Sequence, residues 1–237
     1  HRSVQEFLSY LRDLVAERRK HPGNPDQDVL TRLIQGEMIN GTHPASTETL
    51  SEVELLQNCI FLLNAGHETT TNLIGNALIS LIENPMQQAV LKSDLSAAKN
   101  SQQAELETHV LNVAVDEFLR FEASNQLSNR RAVKATQIGG LQLPEGALVT
   151  LCIGAANRDP LQFNAPESLD LRRTPNKHLS FGFGVHQCAG LSLARLEGRV
   201  AIGRFLNRFP NYHLSEPPTR GGRARFRGFL KAPFITN

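Results

Sequence analysis

The ten residues from Phe181 to Gly190 constrain this chain more than any other segment. They run Phe-Gly-Phe-Gly-Val-His-Gln-Cys-Ala-Gly, and a helical pattern follows from Leu191. The glycines permit backbone conformations and close approaches that side chains would forbid. Cys188 lies just before the predicted helix, where unpaired N–H groups and the helix dipole favour a thiolate over a thiol. Ala189 and Gly190 leave room for a large flat group, so the segment predicts a thiolate that binds a soft metal.

Cys188 has three other interpretations. A cysteine in a glycine-rich turn can be a small buried hydrophobic residue. A zinc site needs further ligands at metal spacing, and only His186 is near. A cysteine nucleophile with His186 as its base, as in a thiol hydrolase, is weak because residues two apart seldom present their side chains to each other. The metal-binding thiolate is therefore favoured.

Composition excludes several other classes of protein. The 237 residues carry 25 Lys and Arg against 23 Asp and Glu, a net charge of +2, which argues against a nucleic-acid binder. The longest apolar runs, 59–63 and 147–156, are far below the roughly 18 residues that span a bilayer. A polar, charged beginning predicts no signal peptide. Three scattered cysteines suit reduced thiols, so we expect a cytoplasmic protein with no membrane contact.

Apolar periodicity predicts a mainly α fold with small β-sheets. Ser51 and Glu54 form a predicted capping box at the start of a long helix that ends near Ile82, before Asn84-Pro85. The other predicted helices cover 4–19, 29–34, 104–121 and 191–207. A polar loop is expected at 41–49, short strands at 138–146, a buried strand at 147–153, and extended segments at 212–214 and 226–230.

The segment around Cys188 resembles the cytochrome P450 family, whose pattern Phe-Gly-x-Gly-x-His/Arg-x-Cys-x-Gly is met in full. The resemblance implies that Cys188 is the axial thiolate ligand of haem b (iron protoporphyrin IX). It also implies that His186 donates to a haem propionate and that Phe181 packs beside the sulfur. Gly182 and Gly190 complete this implied cofactor-binding loop.

Glu117 and Arg120 are three residues apart on a predicted helix, so their side chains share one face and can pair. Glu-x-x-Arg is common, and by itself usually marks a solvated helix face. Here it precedes the cysteine segment in an apolar context, in the order that the family requires. The resemblance implies a buried structural network of Glu117, Arg120 and Arg173 beneath the haem.

The middle of the long helix, Ala65-Gly66-His67-Glu68-Thr69-Thr70, is the third segment of interest. Glycine inside a helix costs about 1 kcal/mol relative to alanine, and polar groups in an apolar helix are costly to bury unpaired. The plain interpretation is a kink in which threonines bond back to the preceding turn.

The same segment resembles the oxygen-activating part of the cytochrome P450 family. The resemblance implies a helix widened near Ala65 and Gly66 to admit dioxygen above the iron. Thr69 would donate a hydrogen bond to the oxygen being activated, and Glu68 would help to relay protons from solvent. His67 is interpreted as structural. Arg130 matches a family arginine that pairs with a haem propionate, but the adjacent Arg131 leaves that assignment open.

The predicted protein is a bacterial, soluble-type haem-thiolate monooxygenase that hydroxylates a small apolar organic substrate. The resemblance implies an incomplete cytochrome P450 fold without its N-terminal part, with residues 1–237 forming the C-terminal portion of one haem-binding catalytic domain. Electrons would come from a ferredoxin or flavoprotein. Arg195, Arg199 and Arg204 could form a positive face for that donor, or an ordinary solvated face. The alternative is a truncated, non-catalytic haem-binding or regulatory remnant of the same family.

Overall fold

The computed structural model describes residues 2–36, 50–101 and 103–236. The chain divides into two compact units, 1–67 and 68–237, and the division falls within α3. The helices, in chain order, are α1 (Arg2–Lys20), α2 (Val29–Gln35), α3 (Glu52–Glu83), α4 (Pro85–Asn100), α5 (Ala104–Phe121), α6 (Ile153–Ala156) and α7 (Leu191–Arg208). The predicted loop at 41–49 lies outside the described residues.

Side-chain caps fix where two helices of the first unit begin. Asp28 accepts a hydrogen bond from the Leu30 N–H at 3.2 Å and so caps α2. Ser51 and Glu54 form the predicted capping box: the Ser51 N–H donates to Glu54 Oε2 at 2.9 Å, and the Glu54 N–H donates to Ser51 Oγ at 3.3 Å. Leu11, Val15, Leu55 and Leu56 form the apolar core of this unit.

Helix α4, which belongs to the helical core of the second unit, was not predicted. Asn84-Pro85 ends α3 as expected, but Pro85 is also the first residue of α4. Proline suits that position because the N–H it lacks has no partner in the first turn of a helix. Leu91 of α4, Phe118 of α5 and Ile202 of α7 are buried in one core cluster with Leu73 of α3.

Eight short strands form four two-stranded antiparallel sheets within the described residues. The pairs are β1 (Leu127–Arg131) with β4 (Leu148–Cys152), β2 (Thr136–Ile138) with β3 (Leu141–Leu143), β5 (His213–Leu214) with β8 (Phe234–Ile235), and β6 (Thr219–Arg220) with β7 (Phe229–Lys231). The predicted buried strand at 147–153 is present as β4, but its burial was wrong. Leu148 is 72% exposed and Leu151 41% exposed, because β4 has a single strand neighbour and little of this chain covers its faces.

The mainly α architecture with small sheets confirms the predicted fold class. None of the helices in the described ranges is long and apolar enough to cross a membrane. Most of the predicted site residues lie on α3 and α5 and on the irregular segment 157–190, which leads from α6 to α7.

Candidate functional site

The loop that carries Cys188 is closed by its own backbone. The Cys188 N–H donates to the Phe181 carbonyl oxygen at 2.8 Å, and the Gln187 N–H donates to the Gly184 carbonyl oxygen at 2.9 Å. Gly182 and Gly184 have φ values of 69° and 76°, the left-handed region that glycine adopts without strain. The glycines therefore allow the chain to fold back so that Cys188 follows a single 3-10 turn, Gly184–His186, directly before α7.

Cys188 is a free, exposed thiol on an apolar surface. Phe183 is 82% exposed, Val185 97% and Leu193 58%. A Cβ on Gly190 would lie 3.9 Å from Cys188 Sγ, an ordinary van der Waals contact, so the surface beside the sulfur is open at this position. Within the described ranges, no three His, Cys, Asp or Glu side chains group as a metal site. An isolated cysteine on an apolar surface suits haem, whose iron one cysteine can ligate, better than zinc, which takes several protein ligands.

The two predicted propionate donors also lie at exposed positions. His186 ends the 3-10 turn. Arg130 lies on β1 and donates to Ser128 Oγ at 3.1 Å and to the Asn129 carbonyl oxygen at 2.9 Å, whereas Arg131 donates to the Gly146 carbonyl oxygen at 3.3 Å. Because successive strand residues point to opposite faces, only one of these arginines can face a given ligand. The structure leaves both available, and the assignment of Arg130 stays a prediction.

The structure brings Glu117, Arg120 and Arg173 together. Arg120 donates from Nε and Nη2 to the two carboxylate oxygens of Glu117, both at 2.8 Å. Arg173 Nε donates to Glu117 Oε2 at 3.1 Å. The side chains of Glu117 and Arg120 are fully buried. A bidentate pair of this kind fixes geometry as well as charge.

The same network fastens the irregular segment 157–176 to α5. Arg120 donates to the carbonyl oxygens of Asn157, Pro166 and Ser168 at 3.0, 2.7 and 2.9 Å. Glu117 also accepts from the Asp170 N–H at 2.8 Å and from Asn176 Nδ2 at 3.0 Å. These partners were not predicted from the sequence, because backbone groups leave no signal in residue type and Asn176 lies 59 positions from Glu117.

Asn157 joins this network to the cysteine loop. Its side-chain oxygen accepts from the Leu179 N–H at 2.7 Å, and its Nδ2 donates to Ser180 Oγ at 2.9 Å. Ser180 Oγ in turn donates to the Leu119 carbonyl oxygen at 2.6 Å. The residues immediately before Phe181 are therefore held on α5 by side chains that were not predicted.

A second polar cluster supports the loop from its other side. His178 Nε2 lies 3.2 Å and Arg195 Nε 2.7 Å from the same oxygen of Asp116. The Ser180 N–H donates to His178 Nδ1, which makes Nε2 the protonated nitrogen and hence the donor to Asp116. The rings of His178 and Phe181 are 5.8 Å apart, and the Arg195 guanidinium lies 4.9 Å from the Phe181 ring. Arg195 is therefore engaged with the loop and does not belong to a free positive face.

Asp116 should make the stability of this cluster depend on pH. Burial raises the pKa of Asp116, but hydrogen bonds from His178 and Arg195 outweigh it and hold that pKa below its usual value. A carboxyl with a lowered pKa stabilises the fold above its unfolded pKa, and this contribution is lost as pH falls through its folded pKa. Asp116→Asn should therefore lower the free energy of unfolding by about 1.5–3 kcal/mol at pH 7. The gap to wild type should narrow below about pH 4.

Urea denaturation at several pH values measures this gap. Glu145→Gln is the matched control, because Glu145 is an exposed carboxylate that none of the described residues pairs with. Its substitution should change stability little at any pH. An Asp116→Asn deficit that stays constant from pH 7 to pH 3 would contradict the role of the carboxylate charge.

The oxygen-side segment belongs to α3, which is a continuous α-helix through it. Ala65 and Gly66 are exposed and lie in the first unit, whereas Glu68 and Thr69 are half-buried and lie in the second. A Cβ on Gly66 would meet no atom within 4 Å, so packing within the described chain does not require glycine there. Glu68 forms an ion pair with Arg223 of the C-terminal segment. This partner was not predicted from the sequence.

The Cytochrome P450 family model matches residues 1–230, and the chain belongs to this family. Cytochrome P450 107B1 of Saccharopolyspora erythraea is 39% identical over 213 residues, which is 90% of this chain and 47% of that protein. The biotin biosynthesis cytochrome P450 of Bacillus subtilis is 37% identical over 211 residues, 89% of this chain and 47% of that protein. The chain thus spans about half the length of the curated relatives it matches.

Solved structures agree with the family. The crystal structure of P450BioI in complex with hexadec-9Z-enoic acid ligated acyl carrier protein superimposes with a TM-score of 0.83 at 34% identity. It covers 98% of this chain, which in turn covers 54% of that one. The predicted family is confirmed. Cytochromes P450 are haem b proteins and monooxygenases that use organic substrates and redox partners.

Proposed function

We propose that this chain holds haem b through Cys188 and forms the haem-holding part of a monooxygenase. The overall reaction is the hydroxylation of an apolar organic substrate: one atom of dioxygen enters a C–H bond, and the other leaves as water with two electrons and two protons. A ferredoxin or flavoprotein supplies the electrons, in the cytoplasm. Residues 1–237 then belong to a single catalytic domain.

The observation that carries the proposal is the setting of Cys188. Its thiol is exposed on an apolar surface, in a loop that two left-handed glycines close. That loop is fastened to α5 through Asn157 and Ser180, and to α7 through Asp116 and Arg195. A rigid, exposed thiolate is what an axial ligand requires, since a mobile one would lose affinity each time the loop rearranged.

Each of the chain's other site residues has a defined task in this proposal. His186, with Arg130 or Arg131, donates hydrogen bonds to the carboxylates of the cofactor. Gly182 allows the loop to fold back, Gly190 leaves room for a flat cofactor beside the sulfur, and Phe181 packs beside the sulfur. When bound, haem supplies the chemistry of dioxygen reduction, which the thiolate's electron density favours. Thr69 Oγ1 donates a hydrogen bond on the oxygen side, and the Glu68 carboxylate moves protons toward it from solvent.

Carbon monoxide spectroscopy tests the proposal directly. The haem-loaded protein is reduced, exposed to carbon monoxide and scanned across the Soret region. A strongly red-shifted band identifies a thiolate-ligated iron, and product formation with an added electron donor then tests turnover. Absence of haem uptake contradicts the proposal. Haem uptake with the shifted band but without turnover on any substrate favours the alternative, a non-catalytic haem-binding or regulatory remnant.

Thr69→Ala should separate electron consumption from product formation. We expect the variant to keep its haem and its thiolate band, because Thr69 lies on α3, away from the cysteine loop in sequence. Without the Thr69 hydroxyl, proton delivery to the oxygen site is no longer controlled, and the electrons supplied by the donor are released as hydrogen peroxide instead of forming product. Product per electron should fall by about 100-fold, the lower end for a positioned proton donor.

Peroxide and product are measured together per NADH or NADPH consumed. Thr71→Ala is the matched control, because Thr71 is an exposed threonine of the same helix and has no task in the proposal. Equal coupling in Thr69→Ala and Thr71→Ala would show that Thr69 has no part in proton delivery.

A further inference from the structure

The C-terminal segment 220–228 is fixed alongside α3, next to the predicted oxygen-side residues. Asn76 of α3 donates from Nδ2 to the carbonyl oxygens of Arg227 and Glu122, at 3.0 and 3.1 Å. Gly228 is buried, and a Cβ on it would overlap the side-chain amide of Asn72. Asn72 and Asn76 follow Thr69 by one and two helical turns. The segment is therefore rigidly placed beside the part of α3 that follows Thr69.

This segment contains a concentration of arginines that the proposed reaction does not use. Arg220 and Arg227 both pair with Glu122, at 3.2 and 2.6 Å. Arg223 pairs with Glu68. Among the described residues no carboxylate pairs with Arg225, whose guanidinium lies 5.3 Å from the Phe226 ring centre.

Positive charge exceeds negative charge here. Four guanidinium groups occupy residues 220–227. Glu68 and Glu122 neutralise two of them, and Glu83 adds a more distant negative charge near Arg227. Arg225 is the cation left over. A guanidinium without a carboxylate partner can bind a carboxylate or phosphate through two parallel hydrogen bonds.

Arg220, Arg223 and Arg227 border a pocket, whereas Arg225 is exposed and does not line it. The volume of the pocket is about 270 Å³. It is lined by Arg220, Gly221, Gly222, Arg223, Phe226, Arg227 and Gly228. Arg223 and Arg225 both lie against the ring of Phe226, with their guanidinium groups 5.6 and 5.3 Å from its centre.

We propose that Arg225, with Arg223 beside it, binds an anionic end group of the substrate, a carboxylate or a phosphate. This inference rests on the proposed function and narrows its substrate class to apolar molecules with one anionic end. Because Arg223 contacts Glu68, which precedes Thr69, an anion bound here anchors one end of the substrate beside the oxygen-side segment.

Matched ligands test the proposal in the haem-loaded protein. Dodecanoate, dodecyl phosphate and dodecanol share one alkyl chain and differ only in the end group. Isothermal titration calorimetry and the Soret shift measure their affinities. We expect wild type to prefer at least one anionic ligand over dodecanol by about tenfold to a hundredfold, the range of a charged hydrogen bond. The preference should weaken with added salt. The two anionic arms decide between carboxylate and phosphate.

Arg225→Gln should remove that preference while the affinity for dodecanol stays unchanged. Arg12→Gln, at an exposed arginine of α1, is the control and should keep the preference intact. Equal affinity of wild type for anionic and neutral ligands would overturn the proposal. So would an Arg225→Gln variant that keeps its preference, or one that loses electron transfer from a donor protein without losing ligand affinity. Calorimetry does not depend on the carbon monoxide band, so failure of the proposed haem chemistry is recorded separately.

Discussion

Cys188→Ala is expected to abolish the red-shifted carbon monoxide band completely. Haem iron in this protein has one proposed protein ligand, and alanine has no atom that can replace the sulfur. Any haem that remains bound should show the spectrum of an iron without a thiolate. The loss is measured by subtracting the spectrum of the reduced protein from that of the reduced protein with carbon monoxide, for purified variants at equal protein concentration.

Two further cysteines provide matched controls for this experiment. Cys152 is an exposed thiol, like Cys188, but it lies at the end of β4 and outside the glycine loop. Cys59 is half-buried on α3, and burial raises the pKa of its thiol, which keeps it protonated at neutral pH. Cys59→Ala and Cys152→Ala should both retain the full band. If Cys152→Ala loses the band, or if Cys188→Ala keeps it, the assignment of Cys188 as the iron ligand is wrong.

The parts of the fold that could be predicted from the sequence are those set by neighbours along the chain. The bounds of α5, and the pairing of Glu117 with Arg120, follow from periodicity within one helix. The start of α3 follows from the capping box at Ser51 and Glu54. In each case the interacting groups are three or four residues apart, so local spacing determines the contact.

The errors and omissions arise where distant segments decide. The sequence Leu127–Arg131 is polar and carries no strand pattern, yet it forms β1 because β4 supplies hydrogen-bond partners for it. Pro85 was predicted only to end a helix, but it is also the first residue of α4. The strand at 148–152 is apolar enough to be buried, but exposure depends on what covers it, which the strand itself does not encode.

In the candidate site, too, local contacts could be predicted from the sequence and contacts between distant residues could not. The spacing within 181–190 predicted the cysteine loop, and the left-handed glycines account for it. The supporting cluster of Asp116, His178 and Arg195 joins residues 62 and 79 positions apart, and Glu68 pairs with Arg223 across 155 positions. Such pairs have no local signature, since aspartate, histidine and arginine also occur on any solvated surface.

Glu117→Ala is expected to destabilise the fold more than any other single change considered. Its carboxylate accepts from Arg120, Arg173, Asn176 and the Asp170 N–H. Removing it leaves the guanidinium of Arg120 fully buried, with carbonyl oxygens as its remaining partners and no opposite charge. Breaking a buried ion pair in this way costs about 3–5 kcal/mol. Since a domain is stable by only about 5–15 kcal/mol, this loss removes a large part of the free energy of unfolding, and the variant should unfold at a much lower urea concentration than wild type.

An exposed pair of the same geometry separates burial from chemistry. Arg172 donates to both oxygens of Asp94, at 2.8 and 2.5 Å, but its side chain is 63% exposed. Asp94→Ala therefore removes an equally well-formed bidentate pair whose charges water already screens. Its loss of unfolding free energy should be several times smaller than that of Glu117→Ala. Urea denaturation compares the two variants, with Glu117→Gln between them because the amide keeps the shape and loses the charge. Equal losses of unfolding free energy in the two alanine variants would mean that the Glu117 network stabilises the fold no more than a surface ion pair does. Segment 157–176 would then be held to α5 by its backbone contacts alone.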